Sequence, residues 1–151
     1  MPRQFKDNKG HQWTITITLK KCRYVREQLA LDVFNPEDWQ ELLKSLGTRL
    51  AFVWWLVQDQ AAELDLTDDQ FEERLYGKGI ADNASNEFLA ELADFFRRLG
   101  QEGMVTGTDV ARIAMEKFQK RAMDPEYMEA MRTHLEGLVN PGSMPGAKSP
   151  D

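Results

Sequence analysis

An unbroken apolar run in the middle of the chain, residues 50–57, constrains the fold more than any other feature. The run contains Trp54 and Trp55 side by side, and polar residues bound it at both ends. It is too short to cross a bilayer, which takes about 20 apolar residues. A helix that is apolar around its whole circumference has to be buried by other protein segments. We therefore predict a central core helix over residues 48–64 that neighbouring amphipathic helices cover on nearly every side.

The composition is typical of a globular protein that forms one domain. A chain of 151 residues can bury roughly 70% of its unfolded surface, and 42% of the residues are hydrophobic while 29% are charged. Cys22 is the only cysteine, so no internal disulfide is expected. The first residues alternate between polar and apolar side chains and lack the apolar stretch of a signal peptide. We expect a cytoplasmic protein with no membrane partner.

Charge is distributed unevenly along the chain. The net charge is −6, yet residues 1–31 contain seven basic residues and two acids, so this segment carries +5 and the other 120 residues carry −11. The acidic majority argues against general nucleic-acid binding, which needs cations that neutralise phosphates. The first helix carries a basic patch that either faces an acidic partner or packs beside the acidic remainder of the chain. The patch consists of Lys20, Lys21, Arg23 and Arg26.

Residues 3–18 have the pattern of a β-hairpin. A short strand over residues 3–6 precedes the turn-forming sequence DNKG, and polar and apolar residues then alternate over residues 12–19. The alternation places four apolar side chains on one face: Trp13, Ile15, Ile17 and Leu19. A lone hairpin is marginally stable in water. We therefore predict that this face packs on the helices, or that the hairpin adds strands from another copy of the chain.

Six or seven helices are predicted after the hairpin. Asn35 followed by Pro36 indicates a helix start, and Thr67 with Gln70 three residues later forms a capping box. Gly47 is expected to end the second helix, and Thr108 or Asp109 to begin the sixth. The amphipathic pattern of residues 80–99 predicts the longest helix. The predicted fold class is α+β, mostly α, with an N-terminal hairpin and a bundle of helices around the central apolar helix.

The glycine-rich segment around residues 100–107 suggests a division of the chain. We predict a hairpin and helical core domain over residues 1–100, and a C-terminal helical pair over residues 101–139 that forms an appendage. Residues 140–151 are rich in Pro, Gly and Ser and are predicted to be disordered.

No pattern in the sequence supports catalysis or cofactor binding. The two histidines, His11 and His134, lie far apart and no cysteine pair accompanies them, whereas structural zinc usually takes four Cys or His ligands. Acids cluster over residues 63–73 without the spacing of an EF-hand loop, and helix starts explain them better. Cys22 is expected to be a small core residue. We therefore predict a non-enzymatic protein with no catalytic residue, no cofactor and no metal.

The aromatic and methionine residues point instead to binding of a protein. Two large tryptophans that are adjacent on one helix lie about 100° apart around its axis. Burying both therefore requires neighbouring segments around much of the helix circumference. Either they fill the core, or one of them lines a groove for a partner's amphipathic helix. The methionines of the last helix fit an adaptable binding surface or a soft core. The candidate partner-binding residues are Trp54, Trp55, Phe95, Phe96, Met128 and Met131.

The order of motifs resembles that of a known family. The opening F-x-D-x-x-G-x-x-W-x-I-x-I runs from Phe5 to Ile17, and a basic helix, K-K-C-R-Y-V-R, follows it. An apolar helix that ends in Gln58-Asp59-Gln60-Ala61 comes next, then D-D-Q-F-E-E-R-L and F-L-A-E-L-A-D-F-F. Over residues 3–100 this pattern resembles small proteins of phage and prophage structural modules that are similar to tail assembly chaperones. Nothing familiar is found after Gly100.

The resemblance implies a mostly helical, non-enzymatic protein. It would coat a long hydrophobic helical partner, the tape measure protein, and keep it soluble while the tail tube assembles. Pairing between copies would give a homo-oligomer along that partner. Two alternatives remain open: a structural component of the virion, and a nucleic-acid or regulatory adaptor that uses the basic first helix.

Overall fold

A computed structural model describes residues 2–139 and confirms the predicted fold class. A two-stranded antiparallel hairpin is followed, within these residues, by eight helices. The strands are β1 (Arg3–Lys6) and β2 (Gln12–Ile15), and the helices are α1 (Leu19–Leu29), α2 (Pro36–Lys44), α3 (Leu46–Leu56), α4 (Gln58–Glu63), α5 (Asp68–Glu73), α6 (Ile80–Arg98), α7 (Glu102–Ala122) and α8 (Pro125–Val139). The tail predicted to be disordered, residues 140–151, lies outside the described residues.

The hairpin packs its apolar face on α6, as the alternating pattern predicts. Phe5 lies opposite Trp13 in the β1–β2 register, and both side chains are buried together with Ile15 and Ile17. The prediction is wrong for Leu19, which is 52% exposed. The Thr18 side chain accepts a hydrogen bond from the Lys21 backbone N–H, so the chain has already entered α1 at Leu19.

The outer edge of β2 is closed by a side chain of α4. The Gln60 amide accepts a hydrogen bond from the Thr14 backbone N–H at 2.8 Å and donates one to the Thr14 carbonyl at 2.9 Å. Beyond the strand, the Ile17 N–H donates to Glu91 at 2.8 Å. Backbone groups that already have partners do not recruit another strand. Addition of a second copy to this edge is therefore not supported.

The helix α6 is the element that joins the hairpin to the helical core. It contacts β1, β2 and α3, while α1 and α2 contact α3. Its buried stripe includes Phe88 and Leu92, and Phe88 meets Phe52 of α3 with the ring centroids 5.2 Å apart. At the hairpin end, Arg3 and Asp94 form an ion pair at 2.9 Å. The predicted stripe of residues 80–99 is thus the inner face of this helix.

Two helices begin at the capping residues that the sequence predicts, Asn35 and Thr67. The Asn35 side chain accepts hydrogen bonds from the Glu37 and Asp38 N–H groups at the start of α2. Thr67 and Gln70 form the reciprocal pair of a capping box at the start of α5. These caps satisfy N–H groups that have no partner within the helix.

The central apolar segment is two helices rather than one. Ser45, not Gly47, marks the boundary after α2, because the Ser45 hydroxyl accepts a hydrogen bond from the Thr48 N–H and opens α3. Gly47 therefore lies inside α3, and the prediction that it ends a helix is wrong. At the other end, Val57 has φ −108° and ψ 20°, which separates α3 from α4. The predicted helix over residues 48–64 is broken at that residue.

The helix α7 begins at Glu102, earlier than predicted, so neither Thr108 nor Asp109 starts it. Thr108 is instead buried inside the helix, where its hydroxyl accepts a hydrogen bond from the Trp39 indole N–H at 3.2 Å. The chain divides into two compact units, Met1–Arg112 and Ile113–Asp151. Residues 101–112 thus belong to the unit of the hairpin and core helices. In the second unit no residue of α8 is buried.

Two glycines of α7 make a matched test of its contact with α2. A Cβ atom at Gly107 would lie 2.4 Å from the Trp39 ring, whereas a Cβ at Gly103 meets nothing within 4 Å. Gly107→Ala is expected to lower the free energy of unfolding by about 1 kcal/mol through overpacking. Gly103→Ala is expected to raise it by about 0.5 kcal/mol, since alanine favours the helix. Urea denaturation measures both, and equal shifts in the two variants would contradict the close approach of α7 to Trp39.

Candidate protein-binding groove

One side of α3 is left open by the other helices. Phe52, Val53 and Leu56 are buried, but Leu50, Ala51, Trp54 and Trp55 are only partly buried. The expectation that this helix is covered on nearly every side is therefore wrong. Neighbouring elements cover the face turned toward α6 and leave the opposite face accessible.

The open face forms the floor of a groove of about 400 Å³. The helix α5, the residues that follow it and Ala81 of α6 form the other wall. The groove is lined by Gly47, Leu50, Ala51, Trp54, Trp55, Asp68, Phe71, Glu72, Leu75, Tyr76 and Ala81. Most of these side chains are apolar, and two carboxylates lie among them. A groove with this lining suits the apolar face of an amphipathic helix.

Aromatic contacts hold the tryptophans of the floor. The Trp54 ring packs on the buried Phe71 ring with the centroids 5.1 Å apart, and it lies 6.4 Å from the Trp55 ring. Trp55 also meets the edge of Tyr24 of α1 at 5.9 Å. Each of these arrangements has the tilted or edge geometry that aromatic pairs prefer. The floor is thus fixed in place before any partner binds.

The turn of the hairpin positions the wall that α5 forms. The Asn8 side-chain amide donates to the Glu73 carbonyl at 2.7 Å and to the Tyr76 carbonyl at 3.0 Å. The Asn8 N–H donates to the Arg74 carbonyl. These bonds tie the hairpin turn to the last residue of α5, Glu73, and to two residues that follow it. The D-x-x-G turn of the sequence therefore anchors one side of the groove.

Asp7 is the centre of this anchor. Its carboxylate is fully buried, forms an ion pair with Arg74 at 3.1 Å and accepts hydrogen bonds from the Trp13 indole N–H and from two backbone N–H groups. Burial acts to raise the pKa of Asp7, but the hydrogen bonds from Trp13, Arg74 and the backbone together outweigh it and lower the pKa below its ordinary value. Asp7 therefore stays ionised in the folded protein at neutral pH.

Two of the six predicted partner-binding residues are core residues. Phe95 and Phe96 are 3% and 0% exposed, and both rings pack against Phe34 at about 6 Å. Neither of them lines the groove, and both are too buried to present a surface to a partner. The repeated phenylalanines of α6 belong to its inner face.

Met128 and Met131 lie on α8 in the second unit and are 52% and 40% exposed. With Leu135 and Val139 they line a shallow apolar surface that consists of α8 residues alone. In the first unit, Lys20, Arg23 and Arg26 of the basic patch are exposed on α1, and Lys21 is partly buried. In the first unit the predicted residues thus lie in the groove, in the core and on α1, and in the second unit they lie on α8.

Pattern reasoning missed most of the groove wall. The acids of residues 63–73 are predicted to mark helix starts, and the sequence pattern does not predict that Asp68, Glu72, Leu75 and Tyr76 line one wall. Asp68 and Glu72 are four residues apart on α5, and this spacing places both carboxylates on one side of the helix. The sequence offers that spacing as a signal, but nothing in it says that this side faces Trp54.

Neither a metal-binding cluster nor a reactive thiol is found among residues 2–139. No group of three His, Cys, Asp or Glu side chains within residues 2–139 is arranged to hold a metal ion. Cys22 is buried, and this burial, with a smaller effect of Asp32, raises the pKa of its thiol to about 12. The thiol is therefore protonated at neutral pH, which fits a core residue.

No helix among residues 2–139 is long and apolar enough to span a membrane.

Comparison of the chain with models of protein families, with curated proteins and with solved structures finds no match.

Proposed function

We propose that this protein is a non-enzymatic assembly chaperone of the phage-tail type, which holds an apolar helical segment of a tape measure-like partner. The observation that carries the proposal is the groove over α3, where an almost entirely apolar helix leaves Leu50, Ala51 and Trp54 only partly buried. Partly exposed apolar residues that line one groove, with polar residues at its rim, are typical of a surface that binds another molecule.

The physical properties of the groove fit the binding of a helix. Apolar surface removed from water contributes about 25 cal/mol per Å². The floor residues are already ordered, because Trp54 packs on Phe71 and the hairpin turn holds the α5 wall. Binding to an ordered surface loses less conformational entropy than binding to a mobile one. Large aromatic side chains in partly enclosed positions are typical anchors of such interfaces.

Replacing either of two alanines with glutamate tests the proposal. Ala51→Glu places a carboxylate on the apolar floor, whereas Ala62→Glu makes the same change at an exposed position of α4. Each variant is co-expressed with the tape measure protein of the same structural gene module, and the soluble, co-purifying fraction of that partner is measured. We expect Ala51→Glu to weaken the complex by about 2 kcal/mol, or about 30-fold in Kd, because a desolvated carboxylate lacks a partner there. Ala62→Glu is expected to behave as wild type.

Circular dichroism of the variants provides the folding control. If the partner is equally soluble with and without this protein, the chaperone role is wrong. If Ala51→Glu folds and binds as well as Ala62→Glu, the groove is not the binding surface.

A further inference from the structure

The two carboxylates of the groove lie on the same side of α5. Asp68 and Glu72 are four residues apart, are both exposed, and both line the groove that has Trp54 on its floor. Within residues 2–139 neither of them takes part in an ion pair, and the nearby Arg74 is committed to Asp7. The wall of the groove therefore carries two negative charges that the described chain does not neutralise.

Helix stability explains only one of these charges. Asp68 occupies the first residue of α5, where an acid interacts favourably with the helix dipole, and its Oδ1 accepts a hydrogen bond from the Asp69 N–H. Glu72 lies in the last turn of this helix, which has no basic residue. A carboxylate at that end opposes the dipole. The position of Glu72 is thus slightly unfavourable for folding and favourable for attracting a cation into the groove.

The aromatic floor adds to this attraction. Trp54 is partly exposed beside the acidic wall, and the face of an indole ring attracts ammonium and guanidinium groups. A cation in the groove therefore meets carboxylates on one side and an aromatic surface below. A negatively charged group in the same place meets repulsion from both acids.

From this arrangement we infer that the segment held in the groove is a cationic amphipathic helix of a protein partner. Its apolar face lies on Leu50, Ala51 and Trp54, and Lys or Arg side chains along its flank pair with Asp68 and Glu72. The inference rests on the proposed helix-binding function and specifies the chemistry of the partner. It also explains why an acidic chain leaves this wall without internal counterions.

Three synthetic peptides test the inference with the full-length protein. Each has 18 residues and the same helical leucine face, and the flanking positions carry lysine, glutamine or glutamate. Tryptophan fluorescence in a titration gives Kd for each peptide at low and high salt. We expect the lysine peptide to bind about tenfold more tightly than the glutamine peptide, and the glutamate peptide to bind most weakly. High salt is expected to reduce these differences, since the carboxylates are exposed.

A matched pair of variants assigns the effect to the groove. Glu72→Gln and Glu73→Gln remove the same charge from the same turn of α5, but only Glu72 lines the groove. Glu72→Gln is expected to reduce the preference for lysine over glutamine to about threefold or less, and Glu73→Gln to leave it near tenfold.

The outcomes separate this inference from the proposed function. Equal binding of all three peptides overturns the cationic partner but leaves a groove that binds apolar helices. Equal effects of the two glutamate variants show that only the overall charge acts, and they overturn the pairing in the groove. If no peptide binds, the groove is not a helix-binding site and both ideas are wrong.

Discussion

Replacing Asp7 with asparagine is expected to lower the free energy of unfolding by about 4 kcal/mol at neutral pH. The wild-type carboxylate is fully buried and meets the Arg74 guanidinium, the Trp13 indole N–H and two backbone N–H groups. An amide has one acceptor oxygen and turns an NH₂ group toward some of these donors. A guanidinium without its counterion and buried N–H groups without acceptors are both costly.

Urea denaturation followed by tryptophan fluorescence measures the loss. Asp59→Asn, an exposed change in α4, is the control and is expected to shift stability by less than about 0.5 kcal/mol. The Asp7 variant is also expected to weaken groove binding, because the same turn holds the end of α5 through Asn8. A loss similar to that of the control would show that the carboxylate is not the anchor of this turn.

The stability difference between wild type and Asp7→Asn is also expected to depend on pH. The pKa of Asp7 is lower in the folded protein than its ordinary value of 3.8. A group with a lowered folded pKa contributes stability that is fully present above the unfolded pKa and is lost as the pH falls through the folded pKa. The difference should therefore be constant from pH 7 down to about pH 5 and shrink below about pH 4. A difference that stays constant down to pH 2 would contradict the assignment.

The features that the sequence predicts best depend on interactions between residues that are close together in the chain. The Asn35-Pro36 start, the Thr67 capping box and the alternation of Trp13, Ile15 and Ile17 each depend on residues close together in the chain. Hydrogen bonds of a cap and the two faces of a strand are decided within a few residues. They are therefore readable without knowledge of the tertiary structure.

The errors arise where a distant contact decides the outcome. Thr108 resembles a helix cap in sequence, but the Trp39 indole reaches its hydroxyl and stabilises it inside α7. No side-chain hydrogen bond caps the start of α4 at Val57. The sequence therefore contains no capping residue that would mark this break. Leu19 continues the alternating pattern of β2, yet the cap at Thr18 turns the chain into α1. In each case tertiary packing or a competing cap overrides the local pattern.

The groove was predictable only in part. An entirely apolar helix has no polar residue to mark which side faces solvent, so the sequence leaves the open side of α3 undetermined. Trp54 and Trp55 are both partly buried, as expected when two large adjacent rings need neighbours on several sides of the helix, and their role in binding a partner stays a prediction. Phe95 and Phe96 show the limit of that argument. They are also adjacent and aromatic, but Phe34 and the core cover both of them.

The second large effect concerns Arg49, which is 5% exposed although no carboxylate of residues 2–139 forms an ion pair with it. Its guanidinium donates to the Leu42 and Leu43 carbonyls at 2.9 and 3.1 Å and to the Ser85 hydroxyl at 2.6 Å. The two carbonyls belong to the last turn of α2 and lack partners within that helix. Burial lowers the pKa of Arg49, and Asp82 opposes this effect, but arginine remains charged.

Arg49→Met is therefore expected to lower the free energy of unfolding by about 3 kcal/mol, because it leaves three acceptors of the core without donors. Arg49→Lys should lower the free energy of unfolding by less, since an ammonium group keeps the charge and reaches some of the acceptors. Arg23→Met on the exposed side of α1 is the matched control, with an expected change below about 0.5 kcal/mol. If Arg49→Met is instead as stable as wild type, the hydrophobic packing of methionine outweighs the lost bonds. The guanidinium would then not be what joins the end of α2 to α3 and α6.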